Sequence, residues 1–262
     1  MIPVFSEAGL RILESLSFTR TLFAFDYDGT LSRIVDAPED AAMTAAVAEL
    51  TEELGRRVPL AVVSGRSVVD LRRRLPFEPA YLVGNHGLEG AMPNPAPLRH
   101  FAELCRSWRL QMEASLPPEE EREGVVLEDK ALSLALHYRH SRRKKEAKQR
   151  ILELSARLDP PPRVILGKCV VNLVAEGGPH KGIALQELLS RSGAKAALYV
   201  GDDDTDEDAF SLGDPRIIGV RIGYRESSQA QFYIKSQAEM ARLLKTLLGF
   251  IVGHATGEPL RR

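Results

Sequence analysis

The sequence predicts an α/β fold: a doubly wound, Rossmann-like parallel-sheet core interrupted by an inserted α+β domain. Three observations carry the general layout. Short apolar runs recur along the chain, helical patterns separate them, and that alternation lapses once, in the middle. Alternating strand and helix builds a parallel sheet covered on both faces, joined by right-handed crossovers.

The runs are "TLFAF" (21–25), "VPLAVVS" (58–64), "AYLVG" (80–84), "AALYVG" (196–201) and "IIGVRI" (217–222), with helical patterns around 41–56, 67–75, 181–192 and 239–249. The Pro- and Gly-dense stretch "NHGLEGAMPNPAP" (85–97) marks a connection. Beyond it come a helix near 98–115, two strand patterns in "GVVLEDKALSLALHYRH" (124–140), a charged helix over 141–158 and two strands in "RVILGKCVVNLVA" (163–175). The expected domains are therefore a first part of the core over 1–95, the inserted module over 96–176 and the second part of the core over 177–262. The basic run "RHSRRKKEAKQR" reads as the solvated face of a helix.

Composition narrows the function classes. The 262 residues are 44% hydrophobic and 27% charged, and a net charge of -1 offers no bulk attraction to nucleic acid or an anionic membrane. No window reaches the ~18 apolar residues of a membrane span, and the first twenty residues lack a basic start followed by a long apolar stretch. Cys105 and Cys169 have no paired spacing, which fits two core thiols in a reducing compartment. The expectation is a cytoplasmic enzyme or binding protein that takes neither nucleic acid nor membrane as a partner.

Ligands of open α/β sheets bind beyond the carboxyl ends of the strands, and acids stand at two such ends. In "FAFDYDGTL" Asp26 and Asp28 follow a strand one residue apart; in "GDDDTDEDAF" Asp202, Asp203 and Asp206 follow another. The first pair alone also suits a capped turn. A helix starting near Asp206 would use one or two of the second group as caps, but not so many. If the two strands are neighbours, the acids converge on one cation; Mg²⁺, held by a few carboxylates with phosphate and water completing the shell, matches that donor set. Ser64, just past a third strand, is placed to donate to a phosphoryl oxygen, and Lys181 in "HKG" puts a point positive charge at a helix start.

In the inserted module, alternation puts Glu128 and Lys130 on one strand face and Ser133, Ala135, His137 and Arg139 on one face of the next, leaving Leu132, Leu134, Leu136 and Tyr138 to pack on helices. From pattern alone this polar face suits an ordinary solvent-facing sheet; the small Ser133 and Ala135 leave room for a ligand.

The order DxDGT, Ser after a strand, Lys, then GDxxxD resembles the haloacid dehalogenase superfamily, and "FDYDGTL", "SGR", "GNHGLE", "EDK…HYR", "GKCVV", "HKG" and "GDDDTDEDAF" together resemble the trehalose-6-phosphate phosphatases, over residues 23–210. The resemblance implies Asp26 as nucleophile, Asp28 as general acid/base, Ser64 and Lys181 as partners of the phosphoryl group, and Asp26, Asp28, Asp202, Asp203 and Asp206 around Mg²⁺. It implies a C2-type cap in which Glu128, Lys130, His137 and Arg139 hold the disaccharide, with Arg66 in "SGR" and His86 and Gly87 in "GNHG" beside the substrate. Trehalose and inorganic phosphate would be the products, and a separate trehalose-6-phosphate synthase a functional partner. One position departs from the family pattern: Asn172 stands where an acid is usual, and an amide lacks the charge that strengthens hydrogen bonds to sugar hydroxyls. A phosphatase of another glycosyl or sugar phosphate is the alternative, and a sugar-phosphate sensor without turnover a further one.

Overall fold

The computed structural model describes residues 1–35, 40–91, 96–118 and 122–256. Residues 92–95 of the expected connection, and the end of the chain from 257, lie outside the described residues. The chain divides into two compact units, Met1–Ala91 with His180–Arg262, and Met92–Pro179.

The first unit is built on a parallel sheet of seven strands among the described residues. In chain order its elements are β1 (Ile2–Pro3), α1 (Glu7–Ser17), β2 (Thr21–Phe25), α2 (Ala45–Gly55), β3 (Leu60–Val63), α3 (Val68–Arg74) and β4 (Tyr81–Val83). After the second unit, whose elements are α4 (Ala96–Ser115), β5 (Val126–Asp129), β6 (Leu134–His137), α5 (Lys144–Ser155), β7 (Arg163–Gly167) and β8 (Val170–Val174), the first resumes. It closes with α6 (Lys181–Ser192), β9 (Ala196–Gly201), α7 (Glu207–Phe210), β10 (Ile217–Ile222), β11 (Phe232–Ile234) and α8 (Met240–Thr256). The strand order is β1-β11-β10-β9-β2-β3-β4, parallel at every pairing.

The apolar runs are continuous because both faces of the sheet are covered. All of β2 is buried, and its side chains split by parity. Phe23 and Phe25 join Leu13, Leu16, Val47, Leu54, Leu71 and Leu243 of α1, α2, α3 and α8. Leu22 and Ala24 join Ala184, Leu185, Leu188 and Phe210 of α6 and α7 on the other side. Helix starts follow capping chemistry: the Ser6, Thr44 and Ser67 side chains accept from the backbone N–H three residues on, at α1, α2 and α3. Among the described residues, no helix is long and apolar enough to cross a membrane.

The five apolar runs all become strands of this sheet. Not anticipated were β1 and β11, at two and three residues too short to show periodicity, and α1, whose apolar stripe lies in a segment with no motif.

The second unit is an antiparallel sheet of order β5-β6-β8-β7 with α4 and α5 packed on one face. Leu134, Leu136, Val171 and Leu173 meet Cys105, Trp108 and Met112 of α4 and Ile151 of α5. Trp108 is fully buried, and its indole N–H is satisfied by donating to the Pro160 carbonyl at 2.6 Å. Burial pushes the Cys105 thiol up to about 12, so it acts as a small apolar filler.

Candidate active site

Sheet order settles which strand ends are neighbours. β2 lies between β9 and β3, so the residues after Phe25, Gly201 and Val63 converge at one edge. The Asp26 N–H still donates to the Val200 carbonyl at 2.9 Å, carrying the β2–β9 ladder up to the first acid. Gly29 has φ +85°, and a Cβ there would run into the Asp202 carboxylate; a Cβ on Gly201 would likewise strike the Asp206 carboxylate. Only glycine permits this approach of the two acid loops.

One oxygen from each of Asp26, Asp202 and Asp206 lies within 4.8 Å of the other two. Lys181 is the first residue of α6, and its Nζ donates at 2.7 Å both to Asp26 Oδ1 and to Asp206 Oδ1. Lys181 is 2% exposed and Asp206 fully buried. Asp206 also accepts from the Tyr199 hydroxyl at 2.6 Å on Oδ1, and from the backbone N–H groups of Asp202 and Asp203, both at 2.9 Å, on Oδ2. A carboxylate offers about four lone-pair sites, and those of Asp206 are filled by these four donors. Asp206 is thus the anchor that holds Lys181 and shapes the acid loop.

Burial works against a charged Lys181, but Asp206 and Asp26 outweigh it and hold the ammonium well above its ordinary value. For Asp26 burial dominates and pushes the carboxyl up, Lys181 opposes, and Asp206 and Asp202 push it further up. Ionised together, these three carboxylates against one ammonium would leave two net negative charges, the complement of a divalent cation. The all-oxygen donor set fits a hard ion such as Mg²⁺.

Asp28 and Asp203, expected beside the cation, have their carboxylates engaged elsewhere. Arg66 clamps Asp28 bidentately, Nε to Oδ2 at 2.7 Å and Nη2 to Oδ1 at 2.8 Å. Asp203 caps the short 3₁₀ turn over 204–206. Ser64 is buried past β3, and its Oγ accepts from the Arg66 N–H at 3.2 Å, which leaves its own O–H to donate. His86 sits in the turn after β4 at φ 60°, ψ 20°, following Asn85 at φ 48°, so two successive non-glycine residues occupy the left-handed region. Conformations of this kind cost ~1–3 kcal/mol each and persist where their surroundings enforce them. Here the His86 N–H donates to the Ser64 carbonyl at 3.0 Å, its ring packs on Gly65, and Gly87, at φ +115°, lies against the His180 backbone. The strained turn is pinned between the "SGR" and "HKG" loops.

In the second unit the register pairs Glu128 with Ala135 and Ala135 with Asn172, placing these residues and His137 on the face opposite α4 and α5. His137 Nε2 and Glu128 Oε2 are 2.8 Å apart, Lys130 Nζ lies 3.8 Å from the same Glu128 oxygen, and Arg139 donates to the Lys168 carbonyl at 3.1 Å.

Three residues next to this chemistry went unread in the sequence. Tyr199 looks like one more apolar strand residue, and Asp70 and Arg74 look like helix surface; only the hydrogen bonds of Tyr199 to Asp206, of Arg66 to Asp70 and of Arg74 to Asp70 reveal them. The signal that was available is spacing: Arg66, Asp70 and Arg74 follow at successive steps of four.

Comparison with known proteins accords with this geometry. A trehalose-phosphatase family model matches residues 24–239, from the strand that precedes Asp26 to the turn before α8. A trehalose-phosphate phosphatase of Mycobacterium ulcerans is 29% identical over 245 residues, covering 87% of this chain and 61% of its own length, and one of Mycobacterium bovis is 30% identical over 237 residues, covering 85% and 60%. The chain therefore spans about three-fifths of these relatives. Among solved structures, one of a trehalose-6-phosphate phosphatase related protein superposes with a TM-score of 0.70 at 26% identity, covering 90% of this chain and 99% of the other. The C-terminal domain of a trehalose-6-phosphate phosphatase from C. albicans shares the fold at a TM-score of 0.72 and 20% identity, covering 95% and 98%. The matched span contains both acid loops, Ser64, Lys181 and the whole second unit, and on it this chain belongs to the trehalose-phosphatase family.

Proposed function

We propose that this chain is a phosphatase of sugar phosphates, with trehalose 6-phosphate its substrate and trehalose and inorganic phosphate its products. The observation that carries the proposal is the Asp26–Lys181–Asp206 cluster at the β2 end, a carboxylate held at 2.7 Å by an ammonium that is itself buried and anchored. A purely structural ion pair gains nothing from having the third carboxylate, Asp202, brought within 4.8 Å of it.

Lys181 occupies Oδ1 of Asp26 and fixes the rotamer, so that Oδ2 is the oxygen turned to the phosphorus. Attack by this oxygen forms the aspartyl-phosphate as the bond from phosphorus to the sugar oxygen breaks, and Asp28, entering the step as the acid with Arg66 on its remaining lone pairs, gives its proton to the leaving oxygen. Asp28 then takes a proton from water, whose oxygen attacks the phosphorus, releasing inorganic phosphate and restoring Asp26. The Ser64 hydroxyl donates to a phosphoryl oxygen throughout. Asp26 and Asp202 would hold Mg²⁺, which when bound neutralises phosphoryl charge and lets two anions approach. In the second unit Glu128, Lys130, His137 and Arg139 are the donors and acceptors for sugar hydroxyls, with Asn172 as a neutral member of the set.

The test is phosphate release from trehalose 6-phosphate, sucrose 6-phosphate and glucose 6-phosphate, with and without Mg²⁺. Preference for trehalose 6-phosphate that disappears with a chelator is the expected result. Chelator-resistant turnover would remove the cation from the reading, and preference for another ester would mean that the Asn172 face has been retuned.

Arg139→Ala is expected to cut kcat/KM for trehalose 6-phosphate by ~10–100-fold while changing hydrolysis of glycerol phosphate less than about threefold, because binding energy from remote parts of a substrate is lost only where those parts exist. Equal losses on the two esters would exclude a sugar-binding role.

A further inference from the structure

Arg66 is fixed at both ends. While its Nε and Nη2 hold Asp28, its Nη1 donates to Asp70 Oδ2 at 2.7 Å, and the same oxygen accepts from Arg74 Nε at 2.9 Å. Arg74 in turn donates through Nη1 to the Ala41 carbonyl at 3.2 Å. The Arg66 side chain is only 11% exposed, and its guanidinium lies 5.7 Å from the centre of the buried Tyr27 ring. Asp70 sits in the first turn of α3, whose start is fixed by Ser67, so the relay Asp28–Arg66–Asp70–Arg74 runs from the strand-end loop onto a capped helix.

The family reading places Arg66 against the substrate; its contacts in the structure engage the guanidinium with Asp28 and Asp70. A guanidinium that spends its fork on Asp28 and a further donor on Asp70 is a strut between a reactive carboxylate and a rigid element. We propose that Asp70 is a positioning residue for Asp28, acting through Arg66, and that Arg74 keeps Asp70 in place. The proposal rests on the phosphatase reading, in which Asp28 serves the leaving oxygen. Without Asp70 the guanidinium keeps Asp28 as a partner but loses the fixed point that orients the pair, so the proton reaches the leaving oxygen less often.

This predicts a dependence on the leaving group that a loss of fold would not produce. A sugar alkoxide needs a proton to depart; a nitrophenolate does not. The experiment measures single-turnover rates with excess enzyme for wild type, Asp70→Asn and Asp70→Glu, on trehalose 6-phosphate and on p-nitrophenyl phosphate, with KM taken in parallel. For Asp70→Asn the sugar-ester rate is expected to fall ~10–100-fold, the range seen when supporting partners of a site are removed. The aryl ester should lose less than about threefold, KM should stay within about twofold, and Asp70→Glu, which keeps the charge, should recover most of the loss. Arg74→Gln tests the outer link independently of any folding defect in Asp70→Asn, and should show the same split at smaller size. Equal losses on both esters, or no loss on either, would overturn the positioning role. Failure of wild type to release phosphate from any ester would instead overturn the phosphatase reading, and this inference with it.

Discussion

Asp26→Asn is expected to abolish phosphate release, by ~10⁴-fold or more, in a protein that still folds. An amide is isosteric with the carboxylate and still accepts from Lys181, so packing at the β2 end is preserved while the nucleophilic oxygen is lost. Fold retention follows from the electrostatics as well, since Asp206 remains to pair with Lys181 and the site loses one of its three crowded negative charges. Circular dichroism should superpose on wild type, and acid-quenched mass spectra after mixing with substrate should show the phosphorylated species in wild type alone. A phosphorylated adduct on Asp26→Asn, or turnover within tenfold of wild type, would assign the nucleophile elsewhere.

Lys181→Met carries the largest expected cost to stability. Its ammonium donates to both Asp26 and Asp206, and all three groups are buried. Removing one partner of a buried ion pair costs about 3–5 kcal/mol, because the remaining charge is left without compensation. Two carboxylates are stranded here, so the upper part of that range is expected, read as a fall in the urea midpoint at unchanged slope. Adding Asp206→Asn to Lys181→Met should recover part of the loss by removing one stranded charge. A loss below about 1 kcal/mol would show that Tyr199 and the two loop amides suffice for Asp206, and that Asp26 reaches water.

The sequence and the structure divide the account between them along a physical line. Continuous apolar runs ending in acids, glycines and a serine already specify a two-sided parallel sheet with its chemistry at the carboxyl ends of the strands, because periodicity and turn chemistry are local. Asp26, Ser64, Lys181, Asp202 and the polar set from Glu128 to Arg139 were legible for that reason. Local signals do not say which carboxylate oxygen meets which donor. That Asp206 is saturated by Lys181, Tyr199 and two amides, that Asp28 belongs to Arg66, and that Asp70 and Arg74 stand behind Arg66 are outcomes of strand order, loop approach and helix placement. Tyr199 shows the reason most plainly: in the chain it is an ordinary residue of an apolar strand, and only the folding of the acid loop back over β9 puts a carboxylate 2.6 Å from its hydroxyl. The amino-acid sequence by itself determined the kinds of groups present and the sheet edge that presents them. Tertiary structure alone decided the division of labour among the acids, because the bonds that set it, Lys181 to Asp26 and to Asp206 and Arg66 to Asp28, join groups far apart in the chain.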